Sequence, residues 1–482
     1  MKRWEGLALA AVLVIAAAAR IVGLDAGLWY DEIFTLTRYV RAPLGQLLTD
    51  FSSLNNHMFY SLQAKAVVAT LGESAWALRL PAMLFGLASL VLVWAIGRGP
   101  AGRVPALFAI LLLAISYHHV WFSQNARGYT GLLFWTSLAT LLLVEGLKRP
   151  GWRIWAGYGL SVAAGMYTHL SAGFFFASHA LVYGLAWLAR GAKVLAPYPG
   201  LRDIRPAYGF VLGGLLTGLL HLPLFAQVLA ALNKVSQSKT TSSMAEWVNP
   251  MRTLYEIVSS LGAFGPLAPV ALTGALLVIG IGAVTLWRRS PLLVAVYVLS
   301  IPLALGVLLL LDFRIWPRYF FVDIGFVFLC LAAGTQALCG WIARLCRAPR
   351  LERPLFAAGV LVASAASLVL LVRNYERPKQ DFDGALRLIA AGRAPGDVAT
   401  SIGLASEPIN LYFEPSWPVV ENGADLLALE ARAKRVWVVT AFDDHVRPQQ
   451  DAALVRVRAR YELVKELDGT LGGGTVKLYR SR

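Results

Sequence analysis

The feature that most restricts what this chain can fold into is a series of long apolar runs. Runs of roughly 18 to 23 residues recur from the N-terminus to about residue 372, each long enough to cross a hydrocarbon core of about 30 Å as a helix. Of the 482 residues, 57% are hydrophobic and only 15% are charged, which is too apolar for a soluble protein of several domains. The sequence therefore predicts an α-helical polytopic membrane protein.

The apolar runs predict about 11 transmembrane helices. We place them at 6–24, 76–97, 104–120, 129–147, 154–169, 171–189, 207–231, 264–286, 291–311, 319–341 and 355–372. Residues 1–372 thus form a transmembrane domain, and residues 373–482, called the tail below, have ordinary globular composition.

The tail is predicted to fold as a small soluble α/β domain, because helical and strand-like segments alternate along it. The predicted order is a helix at 383–391, a strand at 398–402, a helix at 426–433, a strand at 436–440, a helix at 449–460 and a strand at 476–479. The glycines at 472–474 indicate a hairpin turn and not a phosphate-binding loop. We therefore expect the chemistry to lie in the membrane domain.

The net charge of +16 is explained by topology, and nucleic acid is not expected as a partner. On one side of the predicted membrane, six segments of 51 residues in total hold 17 Lys and Arg. The loops of the other side are together longer and hold roughly half as many. The positive-inside rule places the N-terminus in the cytoplasm and the tail on the opposite, exterior side of the membrane. A cleaved signal peptide is the alternative interpretation of the first run, since small residues occur at 16–19.

Two exterior loops are long enough to fold on themselves. The loop at 25–75 has apolar residues at helical spacing, which predicts interfacial helices that cover a cavity between the spans. The loop at 232–263 is polar at its start and then aromatic, which fits a mobile lid or an ordinary connector. The three cysteines all lie at 330–346, so disulfides cannot hold the tail together.

Polar and charged residues near the span ends collect on the exterior side, where their cost near a bilayer gives them functional weight. The acidic pair Asp31 and Glu32 follows the first span. Further polar segments on this face are Asn55-Asn56-His57, Ser123 to Tyr129, Tyr167-Thr168-His169 and Arg314 to Arg318. Each alone also fits an interfacial anchor or a satisfied polar group. Together they supply a carboxylate base, cations and neutral donors, which can activate a hydroxyl and stabilise a departing phosphate.

The chain resembles the bacterial branch of the dolichyl-phosphate-mannose protein mannosyltransferase family, within the membrane-embedded GT-C glycosyltransferases. That branch includes the aminoarabinose transferases of lipid A and other lipopolysaccharide glycosyltransferases. The resemblance covers roughly residues 1 to 340 and rests on motifs quoted from the sequence: Trp29-Tyr30-Asp31-Glu32, Asn56-His57, Ala77-Leu78-Arg79-Leu80-Pro81, Ser123-Gln124-Asn125-Ala126-Arg127-Gly128-Tyr129, Tyr167-Thr168-His169 and Arg318-Tyr319. Lys379-Gln380-Asp381-Phe382 in the tail is similar to exported domains of many members.

The resemblance implies an inverting transfer of a sugar from a polyprenyl-phosphate donor, with Asp31 as the general base. Glu32 would position Asp31 or a sugar hydroxyl. The residues expected to bind the donor phosphate or sugar are Arg127, Tyr129, His57, Asn56, His169, Arg318 and Tyr319. Membrane lipids would surround the donor's tail, and the acceptor would be a glycan, a lipid such as lipid A, or a protein of the envelope.

Two departures from the family pattern limit what the resemblance implies. Asn125 stands where relatives often have an acid, which removes an anionic ligand and leaves the need for a divalent metal open. Asn56-His57-Met58 replaces a frequent His-Pro-Pro, which makes the identity of the donor and the acceptor harder to infer. No cofactor is indicated with certainty.

Two other functions are alternatives to the glycosyltransferase. A transporter or flippase for lipid-linked sugars would normally place ionisable groups near the bilayer midplane, whereas these span interiors are nearly free of charge. A non-catalytic assembly subunit is the other, because the sequence does not define what the tail does.

Overall fold

The structure is a computed structural model that describes residues 2–53, 55–237, 249–251, 254–255, 265–266, 268–311, 313–443 and 448–482. Most of the predicted lid at 232–263 lies outside these described residues. Up to Glu376 the described chain forms sixteen α-helices. They are α1 Arg3–Ile21, α2 Tyr30–Phe34, α3 Leu44–Thr49, α4 Met58–Leu71, α5 Ala75–Gly97, α6 Arg103–Ala114, α7 Tyr117–Ser123, α8 Tyr129–Lys148, α9 Trp152–Thr168, α10 Ala172–Leu188, α11 Arg205–His221, α12 Phe225–Gln237, α13 Ala268–Trp287, α14 Pro291–Leu310, α15 Ile324–Leu345 and α16 Glu352–Glu376.

The helices confirm a multi-pass membrane protein. Every one of the eleven predicted spans overlaps a helix. Among the described residues, eight helices are long and apolar enough to cross a membrane, where α11 is counted together with its continuation into α12 as far as Ala231. The pair α6 and α7, bent by 61°, makes a ninth if it is one span. The remaining two, α9 and α10, have 17 residues each, or about 25 Å of rise, which is at the lower limit for a crossing. Their crossing stays a prediction.

Glycines let the membrane helices approach closely. A Cβ atom added at Gly159 of α9 would lie 3.0 Å from the carbonyl oxygen of Gly209 in α11. Between α13 and α15, a Cβ atom at Gly282 would overlap the backbone of Cys330, and one at Gly334 would overlap that of Val278. Because lipid is as apolar as a leucine side chain, such close packing is a main source of helix association in a membrane.

The break between α6 and α7 shapes the exterior surface. Ile115 and Ser116 interrupt the helix, and Ser116 caps α7 by accepting a hydrogen bond from the His119 N–H (3.5 Å). The chain then passes through 124–128 before α8 begins at Tyr129. On the same side, α3 and α4 confirm the helices predicted in the 25–75 loop.

The tail contains a four-stranded sheet of order β1-β2-β4-β3, with helices on both faces. Strands β1 and β2 pair parallel, and the β2–β4 and β3–β4 pairs are antiparallel. Helix α17 packs on one face of the sheet with Trp437 and Leu478, and α18 and α19 pack on the other with Val438. The elements are α17 Phe382–Gly392, β1 Val398–Gly403, a short helical segment Ser406–Pro408 continuing as a π-helical turn Ile409–Phe413, α18 Gly423–Arg432, β2 Val436–Ala441, α19 Pro448–Arg460, β3 Tyr461–Leu467 and β4 Val476–Ser481.

Candidate active site

The acidic pair lies on α2, the short helix that follows α1. Neighbouring residues of a helix point about 100° apart, so the two carboxylates meet different surroundings. The side chain of Asp31 is 15% exposed, whereas that of Glu32 is completely buried. The pair therefore does not act as two equivalent carboxylates.

Glu32 is held in the interior by Arg79 of α5. Arg79 donates through Nε to Oε1 of Glu32 (2.7 Å) and through Nη2 to Oε2 (2.6 Å), and both side chains are fully buried. The backbone N–H groups of Ala126 (2.7 Å) and Trp29 (3.3 Å) also donate to this carboxylate. Burial opposes the charge on Glu32, but the charge and hydrogen bonds of Arg79 outweigh it and lower the pKa of the carboxyl group.

Asp31 faces Arg127, which precedes α8. Nη1 of Arg127 lies 3.6 Å from Oδ2 of Asp31, and Nδ2 of Asn55 donates to Oδ1 (3.3 Å). The Arg127 side chain is only 3% exposed, and its Nε and Nη1 have no hydrogen-bond partner among the residues that the structure describes. A buried guanidinium with unused donors thus lies beside a partly open carboxylate.

His57 completes the arrangement around Arg127. Its Nδ1 lies 2.8 Å from the backbone nitrogen of Gly128, and its Nε2 lies 2.9 Å from Nη2 of Arg127. Burial, and then the charge of Arg127, lower the pKa of His57 well below its ordinary value, so the imidazole is neutral near pH 7. Both ring nitrogens of His57 thus face donors, and the tautomer decides which of them accepts, because a neutral imidazole has one acceptor nitrogen.

Aromatic rings form one wall of the site. The ring of His57 lies 4.5 Å from that of His169 and 5.1 Å from that of Tyr129, measured between centroids. The ring of Tyr319 lies 6.3 Å from that of His169. Arg318, in the 3₁₀ helix Pro317–Asp323, stacks on Trp316 at 4.9 Å. The structure therefore brings the predicted residues of four separate segments to one place.

Two predicted residues have contacts that differ from the expectation. Asn56 is buried in its own loop, where Nδ2 donates to the carbonyl oxygen of Asp50 (3.0 Å) and Oδ1 accepts from Ser61 (3.0 Å). Glu32 was expected to contact Asp31 or a sugar, but its carboxylate oxygens already accept hydrogen bonds from Arg79 and from two backbone N–H groups. These contacts favour a role for Asn56 and Glu32 in holding the loops in place and not in binding a substrate.

Arg79 is the main site residue that sequence reasoning did not assign. From the sequence, Arg79 was only part of the motif 77–81, at the start of a predicted span, and no role was assigned to it. Besides Glu32, it donates to the carbonyl oxygens of Leu24, Ala26 and Gly27. Positive charge at a span end on the exterior face, opposite an acidic pair, is the signal that could have identified it.

The tail closes over the same region. Its Gln380 and Glu407 bond to Tyr30, the residue before Asp31, and its Lys379 bonds to the carbonyl oxygen of Gln124. The ring of Phe442 lies 5.7 Å from that of Tyr30. The tail thus contacts both segments that carry the site.

The site does not form a cluster typical of a resident metal. Within the described ranges, His, Cys, Asp and Glu side chains do not gather in groups of three or more that could hold an ion. The carboxylate of Glu32 is bound by Arg79. The amide oxygen Oδ1 of Asn125 accepts a hydrogen bond from the indole N–H of Trp29 (3.1 Å). The part of the site that the structure describes therefore lacks a set of ligands for a metal ion.

A comparison with family models indicates the class of protein. Residues 58–201 match the family model described as dolichyl-phosphate-mannose-protein mannosyltransferase. The chain has the fold of the membrane-embedded GT-C glycosyltransferases, and the resemblance stated from the motifs is confirmed. A comparison with curated proteins gives no match.

Individual solved structures then share this fold. The crystal structure of ArnT from Cupriavidus metallidurans in the apo state is similar with a TM-score of 0.55 at 13% identity, over 99% of this chain and 97% of that one. The oligosaccharyltransferase AglB from Archaeoglobus fulgidus, in complex with an inhibitory peptide and a dolichol-phosphate, is similar with a TM-score of 0.54 at 12% identity. That similarity covers 92% of this chain and 70% of that one. At such identities the likeness concerns the fold alone.

Proposed function

We propose that this protein is an inverting glycosyltransferase that moves a sugar from a polyprenyl-phosphate donor to a hydroxyl of an envelope acceptor. The observation that carries the proposal is the buried guanidinium of Arg127, with two donors unused, 3.6 Å from the partly exposed carboxylate of Asp31. A buried cation with open donors is suited to an anion such as a phosphate. A carboxylate beside it is suited to accept a proton from an attacking hydroxyl.

The phosphate would bind at Arg127, beside His57. Nε and Nη1 of Arg127 have no hydrogen-bond partner among the described residues, and Nη2 of the same guanidinium lies 2.9 Å from Nε2 of His57. Phosphate oxygens would accept from Nε and Nη1 and would leave the Arg127 charge balanced. Arg318 supplies a further positive charge on the same side, and Tyr129, His169 and Tyr319 supply ring faces for the sugar.

In the transfer step, the acceptor oxygen attacks the anomeric carbon as the bond from that carbon to the phosphate oxygen breaks. The electron pair of the broken bond goes to the phosphate, where Arg127 stabilises the added charge. The proton of the acceptor hydroxyl goes to the carboxylate of Asp31. Attack from the face opposite the phosphate inverts the anomeric configuration.

Glu32 and Arg79 would hold this machinery in place. Their ion pair joins α2 to α5, and the bond from the Ala126 N–H to Glu32 joins α2 to the loop that carries Arg127. A small displacement of the reacting groups lowers the rate by a large factor, so the rigid Glu32–Arg79 pair would keep Asp31 and Arg127 at the distance that the reaction needs.

The location, donor and acceptor classes are parts of the same proposal. The Lys and Arg distribution supports a site and tail on the exterior face, which the family resemblance makes the periplasmic face of a bacterial inner membrane. The complex of AglB with a dolichol-phosphate supports a polyprenyl-phosphate carrier. For the acceptor, a related AglB structure holds a tethered acceptor peptide, and the resemblance adds lipid A and other envelope glycans.

The experiment compares strains with and without the intact gene by mass spectrometry of envelope glycolipids and glycoproteins. We expect a species that is heavier by one hexose or pentose only in the strain with the gene. Its fragmentation spectrum would identify both sugar and acceptor. Accumulation of the lipid-linked sugar on the cytoplasmic face of the membrane in the strain without the gene would instead favour a flippase, and identical envelopes in the two strains would contradict the proposal.

A further inference from the structure

We infer that Lys379 and Gln380 are positioning residues: they form a clamp through which the tail fixes the distance between Asp31 and Arg127. The inference rests on the proposed function for its meaning, but its contacts stand independently. Asp31 and Arg127 lie on different elements, α2 and the loop at 124–128. The two residues of the clamp bond to these two elements separately.

Gln380 holds the start of α2. Its Oε1 accepts a hydrogen bond from the N–H of Tyr30 (3.0 Å), the residue directly before Asp31. Its Nε2 donates to the carbonyl oxygen of Gly474 (3.0 Å), between β3 and β4. The side chain is buried, so water is poorly placed to replace either bond.

Lys379 holds the other element. Its ammonium donates to the carbonyl oxygen of Gln124 (2.6 Å) and lies 5.5 Å from the ring centre of Trp121. The Gln124 side chain is held as well, because Asn374 donates to its Oε1 (2.8 Å) and its Nε2 donates to the carbonyl oxygen of Arg20 (2.9 Å). Burial disfavours the charged form of this side chain and lowers the pKa of Lys379 to about 7.

The connection between β3 and β4 holds the two residues of the clamp. The N–H of Thr470 donates to the carbonyl oxygen of Pro378 (2.9 Å), and the N–H of Leu471 donates to that of Lys379 (3.2 Å). The hydroxyl of Thr470 accepts from the indole N–H of Trp121 (3.0 Å). The β3–β4 connection therefore carries Lys379 and Gln380 as one unit, and adjacent residues of the tail reach two elements that meet at the site.

The test uses the full chain in lipid nanodiscs with two kinds of variant. Lys379→Met keeps the aliphatic stem and removes the donor, and Lys379→Arg restores a cation. Gln380→Leu removes both bonds, whereas Gln380→Glu keeps the acceptor for Tyr30. Lys434→Met is the matched control, because Lys434 is an exposed lysine of the tail.

The first measurement is amide hydrogen exchange of peptides covering 30–34 and 124–128, which needs no sugar donor. We expect Lys379→Met to speed exchange at 124–128, Gln380→Leu to speed it at 30–34, and Lys379→Arg, Gln380→Glu and Lys434→Met to stay close to the parent. The second measurement is kinetic, with a panel of polyprenyl-phosphate hexoses and pentoses. We expect Lys379→Met and Gln380→Leu to lower kcat on the order of tenfold with KM changed less than twofold.

Unchanged exchange at both segments in Lys379→Met and Gln380→Leu would overturn the clamp, whatever the activity. Faster exchange throughout the chain would also overturn it, because that pattern shows a general stabilising role. If a methionine or leucine variant fails to fold, Lys379→Leu or Gln380→Met takes its place, and unchanged exchange in that variant likewise overturns the clamp. A parent chain that transfers sugar from none of the donors would contradict the proposed function, while the exchange result would still decide the clamp.

Discussion

At the scale of single residues, burial separates two carboxylates that are neighbours in the sequence. Asp31 is partly open and makes one long contact with Arg127, whereas Glu32 is buried and makes four hydrogen bonds. A group that must accept a proton needs access to its substrate, and a group that holds other elements needs fixed partners. The two residues therefore call for different tests.

Asp31→Asn keeps the shape of the side chain but removes the basic carboxylate. We expect turnover to fall on the order of a hundredfold or more, with donor binding largely retained. Single-turnover rates and donor affinity in one nanodisc preparation measure both effects. Asp25→Asn, in the same loop but exposed, is the control. Parent-like turnover in the Asp31 variant would refute its assignment as general base.

Arg127→Ala removes the cation that we place beside the phosphate, which is charged in the bound donor and more so as it leaves. Donor binding and turnover should both weaken, by roughly 1.5 to 3 kcal/mol for a lost charge-assisted contact. Donor affinity is the measurement. Arg38→Ala, an exposed arginine of the same loop as Asp31, should have little effect. Equal donor affinity in parent and Arg127 variant would return Arg127 to the role of a headgroup anchor.

Glu32→Gln leaves the buried guanidinium of Arg79 without its counter-charge. We expect a loss of about 3 to 5 kcal/mol in the free energy of unfolding. Glu73→Gln removes a partner of the exposed Arg41–Glu73 pair and should cost at most about 1 kcal/mol. Thermal unfolding of both variants in the same detergent tests this. A Glu32 variant as stable as the Glu73 variant would remove the structural role.

The Glu32 contribution should also depend on pH. Its folded-state pKa is lowered by Arg79, so the stabilisation is present above the ordinary carboxyl pKa and is lost as the pH falls through the folded-state value. The stability difference between parent and Glu32→Gln should therefore shrink in acid.

The sequence identified the site residues by type but could not assign their partners. Exterior placement and motif resemblance were enough to select Asp31, His57, Arg127 and His169, which the structure brings together. The Glu32–Arg79 pair joins residues 47 apart, and the bond from Lys379 to Gln124 joins residues 255 apart. Such pairings depend on how the helices pack, and hydropathy carries no information about that.

At the scale of elements, hydropathy predicted the helices well, because each apolar run must satisfy its backbone hydrogen bonds within itself in lipid. The hairpin turn at 472–474 implied a strand before it, but the bounds of β3 could not be placed from the sequence, since its pattern is mostly exposed and its pairing with β4 is what defines it. The bend between α6 and α7 was also missed, because the apolar run continues through it. That bend delivers the loop at 124–128 to the site.

The contact between α13 and α15 offers a test at this scale. Gly282→Leu would force a side chain into the backbone of Cys330, and overpacking typically costs about 1 to 3 kcal/mol. Gly280→Leu, on the same helix, points into open space and is the matched control. We expect a lower melting temperature and a smaller monodisperse fraction in size-exclusion chromatography for Gly282→Leu only. Equal behaviour of both variants would contradict the close packing of α13 on α15.

At the scale of the whole molecule, the tail contacts the membrane domain beside the candidate site, and both must therefore face the same compartment. The contacts of Tyr30 and Gln124 with the tail require this geometrically. The distribution of Lys and Arg predicts which compartment it is. The side of the membrane is a prediction that labelling can decide.

Cysteine labelling in intact spheroplasts tests the predicted topology with probes that the chain itself suggests. Cys330 and Cys339 are buried, and Cys346 is exposed in the predicted cytoplasmic segment 342–354. Gly472 lies in open space in the tail, so Gly472→Cys in a Cys346→Ser background gives an exterior probe. A membrane-impermeant maleimide should label Gly472→Cys in intact cells, but native Cys346 only after permeabilisation. Labelling of both without permeabilisation, or of Cys346 alone, would contradict the orientation, and with it the placement of Asp31 and Arg127 on the periplasmic face.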